Sequence, residues 1–269
     1  MNHLHITGFS NARVKHWRSL RDKKHRKRSG QFLVEGLRLL EDARASGRIP
    51  RELVMAAPDL GGRTPHPLLT QLQNSVEAHG GQIITTTPDI LSKITGKSNA
   101  QTVIGIFEEW ETELSAIDRK TAPIWLVAQE LRDPGNLGTM LRTGDAVGAG
   151  GLILIDDCAD PFSAEAVRAS MGAVFTQNIA RAQWDQFLPW LRGGEGQLVA
   201  ASLRDAVPYR EAPYESPCFI LVGNESQGIP ENYEQECDLR VTMPMLGRAD
   251  SLNAAVAASV LAYEVLASV

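Results

Sequence analysis

Phe219-Ile220-Leu221-Val222-Gly223-Asn224-Glu225-Ser226-Gln227-Gly228 is the stretch on which the fold turns. Its first four residues are apolar without a break, the pattern of a strand covered on both faces in a parallel sheet. Gly223 stops the strand, and a polar loop closed by a second glycine follows at once. A glycine-bounded loop at the C-terminal end of a strand is where open α/β sheets bind ligands; taken alone it is equally a tight turn. Ile124-Trp125-Leu126-Val127 is a similar apolar run upstream, and residues 151–155, 198–202 and 239–243 read as further strands. Helical patterns at 137–146, 164–171 and 184–191, and from Ser251 to the C-terminus, alternate with them. This alternation predicts an α/β domain over residues 123–269.

Two more loops adjoin strands of this series. Asn136-Leu137-Gly138-Thr139-Met140-Leu141-Arg142 follows the turn cluster Asp133-Pro134-Gly135. Asn136 stands at an expected helix N-cap and Arg142 on the second turn, which alone describes a capped helix with a surface arginine. Met243-Pro244-Met245-Leu246-Gly247-Arg248-Ala249-Asp250-Ser251-Leu252-Asn253 leaves a strand at proline, crosses a glycine-containing loop and offers Ser251 as cap of the last helix. Other glycine patterns carry less. Gly96-Lys97-Ser98 lacks the upstream glycine of a phosphate loop, because that position is Leu91. Gly148-Ala149-Gly150-Gly151 precedes a strand instead of following one and reads as a turn.

Upstream, strands at 32–34, 53–57, 83–86 and 103–107 alternate with helices at 37–47, 68–79 and 88–94, with a loop at 61–67. They predict a smaller α/β domain over residues 29–108, joined by a charged linker at 109–122. Residues 1–28 form an expected basic arm: a solvated helix from Asn11 to about Lys24, running into a basic loop at 23–31.

The 269 residues carry a net charge of −5, which as a total speaks against a polyanion partner. The charge is unevenly spread. Arg13, Lys15, Arg18, Arg21, Lys23, Lys24, Arg26, Lys27 and Arg28 crowd the first 30 residues against one acid, Asp22. Such asymmetry points to an arm that meets a polyanion. After Lys120 there is no lysine and no histidine. Chemistry in the larger domain therefore has no local histidine base, histidine-bound metal or lysine Schiff base. Three cysteines without a Cys-x-x-Cys spacing exclude a disulfide framework and a four-thiolate zinc site. The apolar run from Ala254 to Val269 includes Glu264 and falls short of the ~20 residues that span a bilayer. With no apolar signal core at the N-terminus, the expected home is the cytoplasm.

Taken together and in order, the three loops resemble the signature motifs of the SpoU (TrmH-type) RNA 2′-O-ribose methyltransferases of the SPOUT superfamily: N-x-G-x-x-x-R, G-N-E-x-x-G, and a proline-containing loop into S-L-N. Val167-Arg168-Ala169-Ser170-Met171-Gly172 is similar in style. Residues 29–108, opening Phe32-Leu33-Val34-Glu35-Gly36, resemble the substrate-binding domain often found before it. The resemblance implies a catalytic α/β domain tied in a deep trefoil knot, a homodimer, no metal, and S-adenosyl-L-methionine as cofactor. By this mapping Gly223, Met243 and Leu252 lie against the cofactor, with Leu221, Asn224, Gly228, Ile229 and Leu246 nearby. Arg142 takes the central catalytic role, Asn136 orients it or the ribose, Glu225 accepts hydrogen bonds or fixes its loop, and Ser251 and Asn253 position substrate and the cofactor loop. An arginine, charged up to pKa ~12, suits a phosphate contact and a developing alkoxide better than proton abstraction.

RNA then becomes the expected partner of Arg13, Lys15, Arg18, Lys23, Lys24, Arg26, Lys27 and Arg28, with Trp17 and the histidines available to stack on bases. Arg168 is a weaker candidate. The apolar last helix (Leu252, Val256, Val260, Leu261, Val265) suits a dimer face or a central core helix. Ribosomal RNA is the expected substrate. Transfer RNA, base methylation, or an RNA-binding assembly factor without catalysis are the alternatives.

Overall fold

The computed structural model describes residues 4–57, 66–98 and 101–269. Positions 61–65 of the expected loop lie outside them, and Pro67 already opens a helix. The chain divides into two units: Met1–Trp110 with Phe162–Arg168, and Glu111–Pro161 with Ala169–Val269.

The smaller unit contains β1 (Leu4–Ile6), α1 (Ala12–Ser19), α2 (Lys23–Ser29), β2 (Gln31–Glu35), α3 (Leu37–Ala45), β3 (Glu52–Ala56), α4 (Pro67–Ala78), β4 (Gln82–Thr86), α5 (Pro88–Thr95) and β5 (Val103–Glu108). Its sheet runs β1-β4-β3-β5-β2, parallel across the first three strands and antiparallel at β5 with both neighbours.

The expected solvated arm is instead part of this unit. Val14, Trp17 and Leu20, three residues apart, form one apolar stripe, and all three join the core with Val54, Ile84, Ile90 and Ile94. Trp17 is 0 % exposed and donates its indole N–H to Glu52, so it is unavailable to stack on a base. Asn11 caps α1 and Asp22 caps α2, which ends at Gly30 in the left-handed conformation. Low hydrophobicity hid the stripe, because its three apolar residues are spaced among cations.

The larger unit contains β6 (Ile124–Gln129), α6 (Pro134–Val147), β7 (Gly151–Ile155), β8 (Asn178–Ala182), α8 (Trp184–Arg192), β9 (Gln197–Ala201), β10 (Val207–Pro208), β11 (Cys218–Val222), α9 (Glu231–Glu234), β12 (Leu239–Thr242) and α10 (Ala254–Ser268); α7 (Ala164–Ala169) straddles the division. All strands are parallel, in the order β10-β12-β9-β11-β6-β7-β8. β11 is central, pairing Ile220 with Leu126 on one side and Val199 on the other. One face of the sheet is filled by Trp125, Ile153, Phe187, Leu198 and Phe219. β8 escapes the sequence pattern because asparagine and arginine interrupt its short apolar run. The sheet order sets the site: the loops after β6, β11, β9 and β12 leave neighbouring strands at their C-terminal ends.

Candidate active site

Helix α6 begins earlier than expected. Pro134 is pre-set for a first helical turn, and Asp133 is the N-cap, accepting the Asn136 amide N–H at 2.6 Å. Asn136 is therefore inside the helix, which leaves its side chain free for other partners. Its Nδ2 donates to Glu225 Oε1 at 3.0 Å, and its Oδ1 accepts from Asn253 Nδ2 at 2.9 Å. Asn253, not Ser251, caps α10: its Oδ1 accepts the amides of Ala255 and Val256 at 2.9 and 3.2 Å. One residue from each motif thus joins a single chain, Glu225–Asn136–Asn253. Each amide uses both ends, as donor and acceptor, so the three side chains fix one another.

The loop carrying Glu225 is itself built tightly. Asn224 and Gly228 exchange backbone hydrogen bonds of 3.2 and 2.9 Å. Asn224 Oδ1 accepts from the Ser226 amide and hydroxyl and the Gln227 amide, while its Nδ2 donates to the Glu130 carbonyl at 2.9 Å. Gly228 is left-handed at φ 71°. A Cβ on Gly223 would stand 2.3 Å from the Gly228 carbonyl carbon and 2.4 Å from the Ile229 nitrogen, so only glycine fits. Burial pushes the Glu225 carboxyl up, but hydrogen bonds from Asn136, its own amide and the Arg132 and Asp133 amides prevail and hold it below the usual carboxylate range. It is an anion at neutral pH.

Arg142 lies on the exposed side of α6. Among the described residues no hydrogen bond or ion pair holds its guanidinium, and the Glu225 carboxylate is engaged by Asn136 instead. A cation left unpaired on the helix that carries Asn136 is free to meet an external anion.

Beside this cluster is a cleft of about 350 Å³. Gly223, Asn224, Gly228, Ile229, Met243 and Leu252 line it, as do Glu225 and Ser251. Two expected cofactor residues are elsewhere. Leu221 is in the sheet core beneath, because strand alternation turns it inward. Leu246 is 97 % exposed on the loop after β12, and Met245 lines the cleft in its place. Ser251 is exposed and bonded to Asp250. Sequence reasoning missed Ser202, Leu203, Arg204 and Glu234, which also line the cleft; no motif marks them. The lining suits S-adenosyl-L-methionine. Val222, Ile229, Val241 and Leu252 give apolar walls for a heterocycle, and the close approach of the Gly228 and Ile229 backbone to Gly223 packs the loop that borders them.

The surface cations of the smaller unit are placed unevenly. Lys15, Arg18, Lys23, Lys24, Lys27 and Arg28 are exposed. Arg13 is tied to Gln82 at 2.7 Å and Glu52 at 3.5 Å. Arg26 departs from the expectation: it is 3 % exposed, and its guanidinium donates to the carbonyls of Leu20 and Arg21, closing the α1–α2 turn. Arg168 is exposed on α7. Among the described residues no cluster of metal ligands occurs, and no helix is long and apolar enough to cross a membrane. Burial pushes the Cys158 thiol up to about 11 and those of Cys218 and Cys237 up to about 12, leaving none poised as a nucleophile.

Comparison with known proteins agrees with this geometry. The model of the SpoU rRNA methylase family matches residues 123–263, and that of the MRM3-like substrate binding domain matches residues 11–105, a span that takes in α1 and α2. The chain is 31 % identical over 258 residues to the 23S rRNA (guanosine(2553)-2′-O)-methyltransferase RlmP of Bacillus subtilis, covering 96 % of this chain and 97 % of that one. The AdoMet-bound rRNA methyltransferase of Sinorhizobium meliloti is 38 % identical, with a TM-score of 0.89 over 97 % of this chain and 96 % of that one. The SpoU methyltransferase AviRb of Streptomyces viridochromogenes, in complex with AdoMet, is 28 % identical with a TM-score of 0.85, over 96 % and 97 %. The matched span takes in Asn136, Glu225 and Asn253, and the chain belongs to the SpoU rRNA methylase family.

Proposed function

We propose that this protein transfers the methyl group of S-adenosyl-L-methionine to a ribose 2′-hydroxyl of ribosomal RNA. The observation that carries the reading is the Glu225–Asn136–Asn253 chain beside the glycine-walled cleft. Ribosomal rather than transfer RNA is favoured by the relatives, whose names specify 23S rRNA and 2′-O transfer.

The cofactor supplies a methyl group on a sulfonium, already a good leaving group. Positioning can therefore provide much of the acceleration. Gly223, Met243 and Leu252, which line the cleft together with Asn224, Gly228 and Ile229, would hold the cofactor. Arg142 holds a substrate phosphate and stabilises the alkoxide as the hydroxyl proton passes to solvent water. Asn136 orients the ribose, Glu225 and Asn253 hold Asn136 in place, and Ser251 orders the loop above the cleft. Lys15, Arg18, Lys23, Lys24, Lys27 and Arg28 supply sequence-independent attraction to the RNA backbone.

The reading includes the trefoil knot, a cytoplasmic setting and a homodimer. The dimer has support in α10, which buries Leu261 and Val265 in the core yet exposes Val256, Tyr263 and Leu266 along another side. Mapping 2′-O-methyl positions in total RNA with and without the gene tests the reaction. One ribosomal position should lose its methyl without the gene; an unchanged map contradicts the reading.

A further inference from the structure

The cleft holds a second polar group that none of the three motifs supplies. Glu234, at the end of α9, is 5 % exposed and lines the cleft. Its Oε1 accepts from Ser202 Oγ at 2.7 Å and its Oε2 from Arg204 Nη1 at 3.1 Å; the Arg204 amide donates back to Ser202 Oγ at 3.0 Å. The sheet order separates this group from the catalytic cluster. Asn136 and Glu225 follow β6 and β11, whereas Ser202 and Arg204 follow β9, on the other side of β11. The Ser202 amide donates to Val241 of β12, farther still from β6. The cleft therefore has Glu225, joined to Asn136, on one side of β11 and the buried Glu234 carboxylate, bonded to Ser202 and Arg204, on the other.

A buried carboxylate costs more than an apolar residue of similar volume unless its partners compensate, and as a mere brace it is replaceable. A carboxylate offers about four acceptor positions; Ser202 and Arg204 fill two. A carboxylate accepts and does not donate, so a ligand at this end must present an N–H or O–H. The apolar walls beside it select a flat heterocycle. We propose that Glu234 accepts a hydrogen bond from the exocyclic amine of the cofactor's adenine and so sets the base selectivity of the cleft. This rests on the reading of the cleft as the S-adenosyl-L-methionine site. A base carrying a carbonyl oxygen in place of that amine would set acceptor against acceptor.

Calorimetry with S-adenosylhomocysteine and S-inosylhomocysteine, which differ in that amine and in the hydrogen on the neighbouring N1, tests the assignment on the full chain and on Glu234→Gln and Glu234→Leu. The native protein should bind the adenosyl compound at least about tenfold more tightly. Glu234→Gln, whose amide can donate to the carbonyl, should narrow or reverse the preference, and Glu234→Leu should lose adenosyl affinity. Equal binding of both compounds by the native protein overturns the proposal, as does a Gln variant that melts lower yet keeps the native preference, since Glu234 is then a brace alone. Failure of the native protein to bind S-adenosylhomocysteine overturns the reading of the cleft itself.

Discussion

In the smaller unit, Lys15, Arg18, Lys24 and Lys27 stand exposed on two short helices. In the larger unit, Asn136, Glu225 and Asn253 come from three distant segments and hold one another within 3.0 Å. The first arrangement tolerates changes of position, because a polyanion is attracted by charge wherever the charge sits. The second does not, because each side chain has both of its partners specified. On the proposed reading, one unit holds RNA and the other places one atom of it.

This contrast can be broken or sharpened by substitution. The largest effect is expected at Arg142. Arg142→Ala should slow methyl transfer by about 10²–10³-fold while leaving cofactor affinity unchanged in calorimetry. Arg142→Lys tests the planar fork, and near-normal turnover would remove that role. Gly223→Ala comes next. Its Cβ meets backbone at 2.3 Å, which no rotamer relieves, and the shift should cost about 1–3 kcal/mol, read as lost cofactor affinity and a lower Tm. Asn136→Ala strips both Glu225 and Asn253 of a partner, a loss of about 1–3 kcal/mol expected in kcat more than in RNA affinity.

In the smaller unit the effects should be graded and salt-dependent. Lys15→Ala or Arg18→Ala should each lower the slope of log affinity against log salt by about one if it contacts a phosphate, with kcat at saturating RNA unchanged. Arg26→Ala should do the opposite: it leaves the buried Leu20 carbonyl and the part-buried Arg21 carbonyl without their donor, so the Tm falls and the salt slope stays. The smallest effect concerns pH. The Glu225 carboxyl is held low, so its contribution to stability is present above the ordinary carboxylate range and fades only as pH falls through its depressed value. A thermal melt series should show the Glu225→Gln difference constant at neutral pH and shrinking in acid.

How much of this was legible in the sequence follows the same division. The strands of the larger unit are continuous apolar runs, and its functional loops are contiguous words such as Gly223–Gly228, so both could be read directly. What could not be read was which atom meets which. Asp133 takes the cap expected of Asn136, and Asn253 takes that expected of Ser251, because a cap depends on where the backbone leaves helical geometry. Glu234 and Ser202 are 32 residues apart and carry no motif. In the smaller unit, the weak apolar content of α1 concealed a fully buried Trp17, and Arg26 looked like its neighbours although the turn at Leu20 and Arg21 encloses it.

The most direct test of the account is nucleoside mass spectrometry of ribosomal RNA incubated with the protein and isotopically labelled S-adenosyl-L-methionine. The label should appear on the ribose of one nucleotide with the native protein and be lost with Arg142→Ala; label on a base, or label undiminished in the Arg142→Ala protein, would contradict it.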